Sequence, residues 1–266
     1  MGKARSETSA GEDFSVPSLE RGMAILELVG SRPEGMGLAQ ISEALEISLN
    51  SVFRIASALE QLGYLRRDEA KKFFLAGKTL KLGLKAAYGR RDLVECCREP
   101  LVALRDEVKE SVALAVLLRD EGRGIILHSV ESLHSFSFKL RVGHLFELYC
   151  SGPGKAILAG LPDAEYELQA GRCGFAVLTP STLSSRSALD KEMAAIRKAG
   201  YALDRAEAVP GCHCVAAAIT DDSGSAVAAI WTSGPSDRLT KALFPQFGAK
   251  VAACAQLISR RLQNLE

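Results

Sequence analysis

The 266-residue sequence predicts an α+β protein of two domains: a winged helix-turn-helix at the N-terminus, then a larger α+β domain with a mostly antiparallel sheet. Three observations predict this. Residues 16–77 carry three segments of helical apolar spacing followed by two short strand-like runs. From residue 92 to 266, helical segments alternate with strand-like runs bounded by tight polar turns, the pattern of helices covering an antiparallel sheet. Between the two, positive charge accumulates. From Leu62 to Arg91 nine basic residues stand against Asp68 and Glu69, while the rest of the chain from Asp92 carries 19 basic and 21 acidic residues.

Each element follows from local chemistry. Residues 1–15 are polar, rich in Ser, Glu and Gly, and read as a disordered tail. Pro17-Ser18 opens a first helix, with Ser18 as the expected N-cap and Leu19, Met23 and Leu26 on one face. The run Ser31 to Gly35 breaks it. A second helix, Leu38 to Leu45, presents Leu38, Ile41 and Leu45. After a turn at Glu46-Ile47, Ser48 caps a third helix, Leu49 to Gln61, which buries Val52, Ile55, Ala56 and Leu59. Gly63 suits a left-handed C-cap. Tyr64–Arg67 and Lys72–Leu75 form the hairpin wing. A basic linker helix spans 78–91.

The second domain opens with an amphipathic helix, Leu93 to Val108. Strands are expected at Val112–Leu118, Gly124–Val130, Phe136–Leu140, Leu145–Tyr149, Tyr201–Asp204, Cys214–Thr220 and Val227–Thr232. Asp221-Asp222-Ser223-Gly224 supplies a hairpin turn. Helices are expected at Gly152–Leu161, Ala164–Ala170, Leu189–Ala199 and Thr240–Leu265, the last bent at Pro245.

Composition excludes several classes. Hydrophobic residues are 47% and charged residues 24%, as in ordinary globular domains. No apolar run of ~18 residues predicts a membrane span, and the N-terminus lacks the apolar core of a signal peptide, so a cytoplasmic protein is expected. Seven cysteines without a CxxC pair argue against a disulfide framework or a zinc ribbon. Cys212-His213-Cys214 invites a metal reading. On a strand, however, the two cysteines share one face and His213 takes the other, so an ion would need distant partners such as Cys150 or Asp204. No metal site and no cofactor are assigned. His128, His134 and His144 have no catalytic spacing, and Ser151-Gly152-Pro153-Gly154-Lys155 lacks the GxxxxGK[ST] phosphate loop. No set of nucleophile, base and oxyanion donors can be assembled, so an enzyme is not expected.

A recognition helix needs polar side chains on its N-terminal turns, which enter the major groove. Here these are Asn50, Ser51 and Arg54: Asn suits adenine, Arg suits guanine, and Ser51 suits a phosphate. Arg66, Lys71 and Lys72 in the wing suit flanking phosphates. Phe53 is expected in the three-helix core, the alternative being contact with a thymine methyl.

The segments Ser18-Leu19-Glu20-Arg21-Gly22-Met23-Ala24-Ile25-Leu26, Ser48-Leu49-Asn50-Ser51-Val52-Phe53-Arg54 and Leu59-Glu60-Gln61-Leu62-Gly63-Tyr64-Leu65 resemble the DNA-binding half of IclR-type bacterial transcription regulators. Ser151 to Ala156, Gly200-Tyr201-Ala202, Gly211 to Ala217, Ser233-Gly234-Pro235 and Arg238-Leu239-Thr240 follow in the order of the family's second half. The resemblance implies a homodimer or homotetramer that binds a double-stranded DNA operator as a repressor or activator. It also implies a GAF-like C-terminal domain that binds a small effector, an organic or aromatic acid.

By the same resemblance Gly152, Pro153, Asp204, Cys214 and Ser233 line the effector site, with Phe138 and Phe146 as apolar walls. Backbone N–H groups before a helix starting near Gly154 would hold a carboxylate. Two departures stand out. Trp231 replaces a small polar residue, so it fills the pocket, offers a stacking face, or packs in the core. Ala218 replaces a usual proline, so the strand is expected to bend less. The alternative functions are a small-molecule sensor acting through protein partners and, below that, an enzyme built on the second domain.

Overall fold

The computed structural model describes residues 15–79, 82–83 and 93–263, and the chain separates into two units, residues 1–86 and 87–266. The expected tail, apart from Ser15, lies outside the described residues, as does most of the expected linker helix; residues 77–79 and 82–83 are helical.

The first unit comprises α1 (Pro17–Gly30), α2 (Leu38–Leu45), α3 (Leu49–Gln61), β1 (Leu65–Arg67) and β2 (Phe73–Leu75). Pro17 is the first helical residue, where its missing N–H costs nothing. Ser18 therefore lies inside α1 and does not cap it. The end is tied instead by Glu20, whose carboxylate accepts from the Ser15 hydroxyl (2.9 Å) and the Val16 N–H (3.1 Å). α2 stops at Glu46, which turns left-handed (φ 54°), and Ser48 caps α3 by accepting the Ser51 N–H at 3.4 Å. Gly63 (φ 80°) closes α3 and lets the Tyr64 N–H reach the Leu59 carbonyl at 2.9 Å.

Ile25, Val29, Ile41, Val52, Ala56, Leu65 and Phe73 form the core of this unit. Met36 pairs with Phe73 through two backbone bonds of 2.8 and 3.0 Å, which fastens the wing to the α1–α2 connection. Phe53 departs from expectation. It is 47% exposed, because Val52 and Ala56 take the inward direction and a helix turns ~100° per residue.

The second unit runs α4 (Leu93–Val108), β3 (Ser111–Leu118), β4 (Arg123–Val130), β5 (Leu145–Glu147), α5 (Gly152–Gly160), α6 (Asp163–Gly171), α7 (Arg186–Ala199), β6 (Ala202–Arg205), β7 (Cys212–Thr220), β8 (Ala226–Pro235), a 3-10 turn and α8 (Phe244–Gln263). The six strands form one antiparallel sheet in the order β5-β4-β3-β8-β7-β6. α4 and α8 cover one face, over Val112, Leu114, Val116, Val215, Ala217, Ile219 and Ile230. The segment 148–196, with α5 at its centre, covers the other, over Ala113, Ala115, Leu117, Cys212, Cys214, Ala216 and Trp231. Burial on both faces explains why β3, β7 and β8 read as almost unbroken apolar runs.

Two expectations are corrected here. Residues 136–140 form no strand: their carbonyls accept from side chains, Phe138 from the Ser111 hydroxyl and Phe136 from Arg238. Pro245 does not bend the last helix, because α8 begins one residue before it, where proline is tolerated. Among the described residues no helix is long and apolar enough to cross a membrane.

α5 is buried along almost its whole length, and its glycines set its distance from its surroundings. A Cβ on Gly154 would lie 2.5 Å from the Leu148 Cα, and one on Gly160 2.8 Å from the Ala226 Cβ. Thr232, facing the other layer between Val112 and Val215, has a fully buried hydroxyl without a partner among the described residues.

Two stability changes of opposite sign follow. Gly154→Ala, which in an open helix would gain up to ~1 kcal/mol, is expected to lose ~1–3 kcal/mol through overpacking against backbone. Thr232→Val removes the orphan hydroxyl while keeping the shape, and is expected to gain ~1 kcal/mol or more. Thermal and urea unfolding of the two variants beside the parent checks both.

Candidate nucleic-acid interface and effector site

The outward face of α3 carries Asn50 and Arg54, both exposed and one helical turn apart. Ser51 is half-buried and its hydroxyl accepts from Ser48 at 2.9 Å, so it is engaged in the cap, while it lines the same cleft beside α1 as Arg54. In the wing, Arg66 is exposed and its guanidinium stacks 4.4 Å over the Phe74 ring, which stiffens it toward solvent. Lys71 is exposed at the hairpin tip in a left-handed conformation (φ 61°). Lys72 is tied down: its N–H donates to Asp68 at 2.8 Å and its ammonium to the Glu34 carbonyl at 3.4 Å. The basic residues Lys81, Lys85, Arg90 and Arg91 lie outside the described residues.

In the second unit, strand register builds the site. Asp204 on β6 stands opposite Cys214 on β7, Cys214 opposite Ser233 on β8, and Ser233 opposite Ser111 on β3. This polar row lies beside a second row, Ala202, Ala216, Trp231 and Ala113. The N-terminus of α5 rests on both rows, since a Cβ on Gly152 would come within 3.1 Å of the Cys214 Cβ and 3.5 Å of the Ala216 Cβ. Pro153 is buried beside it.

Trp231 is buried between two alanines, and its indole N–H donates to the Ser233 hydroxyl at 3.0 Å. Cys214 Sγ lies 3.0 Å from the same hydroxyl and 3.9 Å from Cys212 Sγ. Phe146 tilts against Trp231 with ring centroids 6.0 Å apart, and Phe138 packs on the same layer. All eight residues expected at an effector site thus lie on the same side of the sheet, Gly152 and Pro153 from α5 and Phe138 from a loop. Trp231 joins that layer's core and uses the acceptor side of Ser233.

The first turn of α5 offers less to an anion than expected. The helix begins at Gly152, Pro153 has no N–H, and the Gly154 N–H is taken by the Ser151 hydroxyl at 3.2 Å. Gly152 carries the remaining N–H of that turn. His213 lies on the opposite face from the two cysteines, with Nδ1 2.7 Å from the Leu239 carbonyl and its ring against Phe244.

Charge around the site is compensated by residues that sequence reasoning missed. Lys155 on α5 is fully buried and its ammonium donates to both Glu207 oxygens, at 2.7 and 2.6 Å. Glu192 on α7 accepts from Lys155 at 3.4 Å and from Arg205 at 2.9 Å. Glu110, just before β3, forms a bidentate pair with Arg238 at 2.6 and 2.8 Å, and Arg238 also holds the Phe136 carbonyl at 3.0 Å. Lys155 and Arg238 stood within the quoted motifs; their acidic partners had no sequence signal, because they lie 52 and 128 residues away.

Burial pushes the Asp204 carboxyl up to about 7, although the Glu207 N–H donates to it at 2.7 Å and the Lys155 charge favours its ionised form. The hydrogen bond with Cys212 and burial hold the Cys214 thiol well above its usual range. It is therefore a proton-bearing wall and not a thiolate.

These shifts set a pH dependence. Between its ordinary value near 3.8 and about 7, Asp204 keeps a proton in the folded protein that the unfolded chain has lost. Its contribution to stability is full below pH 4 and declines as pH rises to 7. Asp204→Asn is expected to flatten this decline and to melt higher than the parent at pH 8. Each kcal/mol relieved corresponds to ~2–4 °C in a protein of this size. Melting curves from pH 4 to 8.5 for both proteins give the comparison.

Comparison with known proteins matches both units to one family. Residues 18–69 match the model of the IclR helix-turn-helix domain, and residues 85–260 match that of the bacterial transcriptional regulator IclR C-terminal domain. The chain is 31% identical over 246 residues to the HTH-type transcriptional repressor AllR of Escherichia coli, covering 92% of this chain and 90% of the relative. The IclR structure from Thermotoga maritima is similar at a TM-score of 0.74 and 26% identity, covering 92% of this chain and 98% of that one. An IclR homolog from Microbacterium hydrocarbonoxydans, solved in complex with 4-hydroxybenzoate, shares the fold at a TM-score of 0.76 and 20% identity, over 92% and 98% of the two chains. With both of its units matched in order, the chain belongs to the IclR family of DNA-binding bacterial transcription regulators.

Proposed function

We propose that this regulator reads its operator with Asn50 and Arg54 of α3 while Arg66 and Lys71 of the wing hold flanking phosphates, Ser51 and Lys72 acting through the cap and the wing base. A small organic or aromatic acid, bound on the layer that carries Asp204, Cys214, Trp231 and Ser233 beneath Gly152 and Pro153, modulates that binding. The observation that carries the reading is the cross-strand polar row under the α5 N-terminus, flanked by the Trp231–Phe146 pair, in one chain with an exposed polar helix face. Aromatic walls with few convergent polar groups are the ordinary make-up of a small-molecule site. The relative that binds 4-hydroxybenzoate supports an aromatic acid in this fold.

The protein acts in the cytoplasm as a homodimer or homotetramer, since two recognition helices related by a two-fold axis match two half-sites one DNA turn apart. The second unit serves as a binding module, its central thiol held protonated by the bond to Cys212 and by burial.

Arg54→Ala is expected to weaken operator binding by ~1–3 kcal/mol and to relax sequence preference, while Arg66→Ala weakens specific and non-specific binding alike and lowers the salt slope by about one. Gel shifts over a salt series distinguish the two. A screen of small organic and aromatic acids by thermal shift, 4-hydroxybenzoate included, is expected to find at least one that stabilises the protein by ~2.7 kcal/mol at a hundredfold excess over Kd. The same acid is expected to change operator affinity; an acid that stabilises the fold without moving operator affinity contradicts the effector role.

A further inference from the structure

Single apolar side chains on a protein surface are ordinary. On α3 two of them, Leu49 (53% exposed) and Phe53 (47% exposed), stand one helical turn apart. They run beside Asn50 and Arg54, which are also one turn apart. The outward surface of α3 is therefore two parallel ridges, one apolar and one polar. The three-helix core does not need the apolar ridge. Val52 and Ala56 are buried, and Ile55 and Leu59 pack against the same cluster, so the inward side of α3 is already complete.

A ridge that lies beside the base-reading residues meets the same groove floor that they do. The edges of the base pairs there carry hydrogen-bond donors and acceptors, with one apolar exception, the 5-methyl group of thymine. An aromatic ring at Phe53 has no use for a phosphate, and its position between Asn50 and Arg54 in sequence keeps it at the level of the bases.

We propose that Phe53 is a specificity-determining residue that reads thymine through its 5-methyl group, with Leu49 extending the apolar contact toward the next base pair. The operator half-site then contains a thymine next to the purines bonded by Asn50 and Arg54. This rests on the reading that α3 enters the major groove.

The test uses the full-length protein. Selection from random duplex DNA yields the preferred site, and each thymine in it is then replaced singly by deoxyuridine, which removes the methyl and leaves base pairing intact. With the parent protein, one or two positions are expected to lose about fourfold in affinity, the worth of one buried methyl at ~0.8 kcal/mol. Phe53→Ala should bind the thymine and uracil sites equally at those positions, and selection with it should return a site without the thymine but with the purines. Phe53→Leu, which keeps an apolar contact, should retain part of the preference. Asn50→Ala should leave the thymine–uracil difference in place. Because Phe53 lies outside the core, its variants are expected to melt with the parent.

The proposal is overturned if no deoxyuridine substitution weakens the parent, or if the discrimination persists in Phe53→Ala. Either result leaves the groove reading standing as long as Asn50→Ala and Arg54→Ala change the selected site. If those two variants select the same site as the parent, the groove reading fails as well, and the apolar ridge is then a protein-facing surface.

Discussion

The second unit is organised by how closely α5 lies against what surrounds it. Three glycines permit that distance: Gly152 against Cys214 and Ala216, Gly154 against the Leu148 backbone, and Gly160 against Ala226. The sheet answers with alanines at 113, 202 and 216, and these leave room for one large residue, Trp231, in the same row. Protein interiors are packed to crystal-like density, so a helix seated this low fixes every neighbour. Its first turn meets the polar row, its Lys155 has no path to water, and the carboxyl of Asp204 is stripped of solvent. The shifted titration of Asp204 and the buried ion pair are consequences of the same approach, which adds to the Cys212 bond in holding Cys214 protonated.

In the first unit, labour is divided by local stiffness. The residues proposed to read the groove sit on a helix whose start is held by Ser48 and whose end is held by Gly63. The cationic residues sit on a two-stranded ribbon too short to be stable alone. It is held by the backbone pairing of Met36 with Phe73 and by stacking of Arg66 on Phe74, whose ring occupies the space that a side chain at Gly35 would fill. The Lys72 N–H on Asp68 and its ammonium on the Glu34 carbonyl fix the wing angle.

Much of this was legible in the sequence, and the misses have physical reasons. The bounds of α2 and α3, the left-handed Gly63 and the Asp221–Gly224 turn all follow from chemistry confined to a few neighbouring residues. Helix α1 starts at Pro17, ahead of the expected Ser18 cap, because a proline at the first helical position and a serine cap compete for the same signal. An aromatic side chain such as Phe53 is expected inward, whereas helical phase sends position 53 out once 52 and 56 go in. Residues 136–140 read as a strand from their alternating phenylalanines, but their carbonyls bond to Ser111 and Arg238. The polar row was only half visible. Asp204, Cys214 and Ser233 were reached by resemblance, but Ser111 enters through the pairing of β3 with β8, a register that local pattern does not encode. The same holds for Glu207 and Glu110, whose partners are distant in sequence.

The buried Lys155–Glu207 pair has a bearing on how the molecule assembles. Neither charge can leave water without the other, and 52 residues separate them. α5 therefore cannot settle onto the sheet until β6 and the segment after it have arrived, and that segment has no reason to settle before α5. The two halves of the layer therefore depend on each other for stability. They open as one cooperative unit whose amides exchange with solvent together. A half-built layer would strand one charge in the interior, so the layer proposed to hold the effector is strongly biased to form, and to open, as a whole.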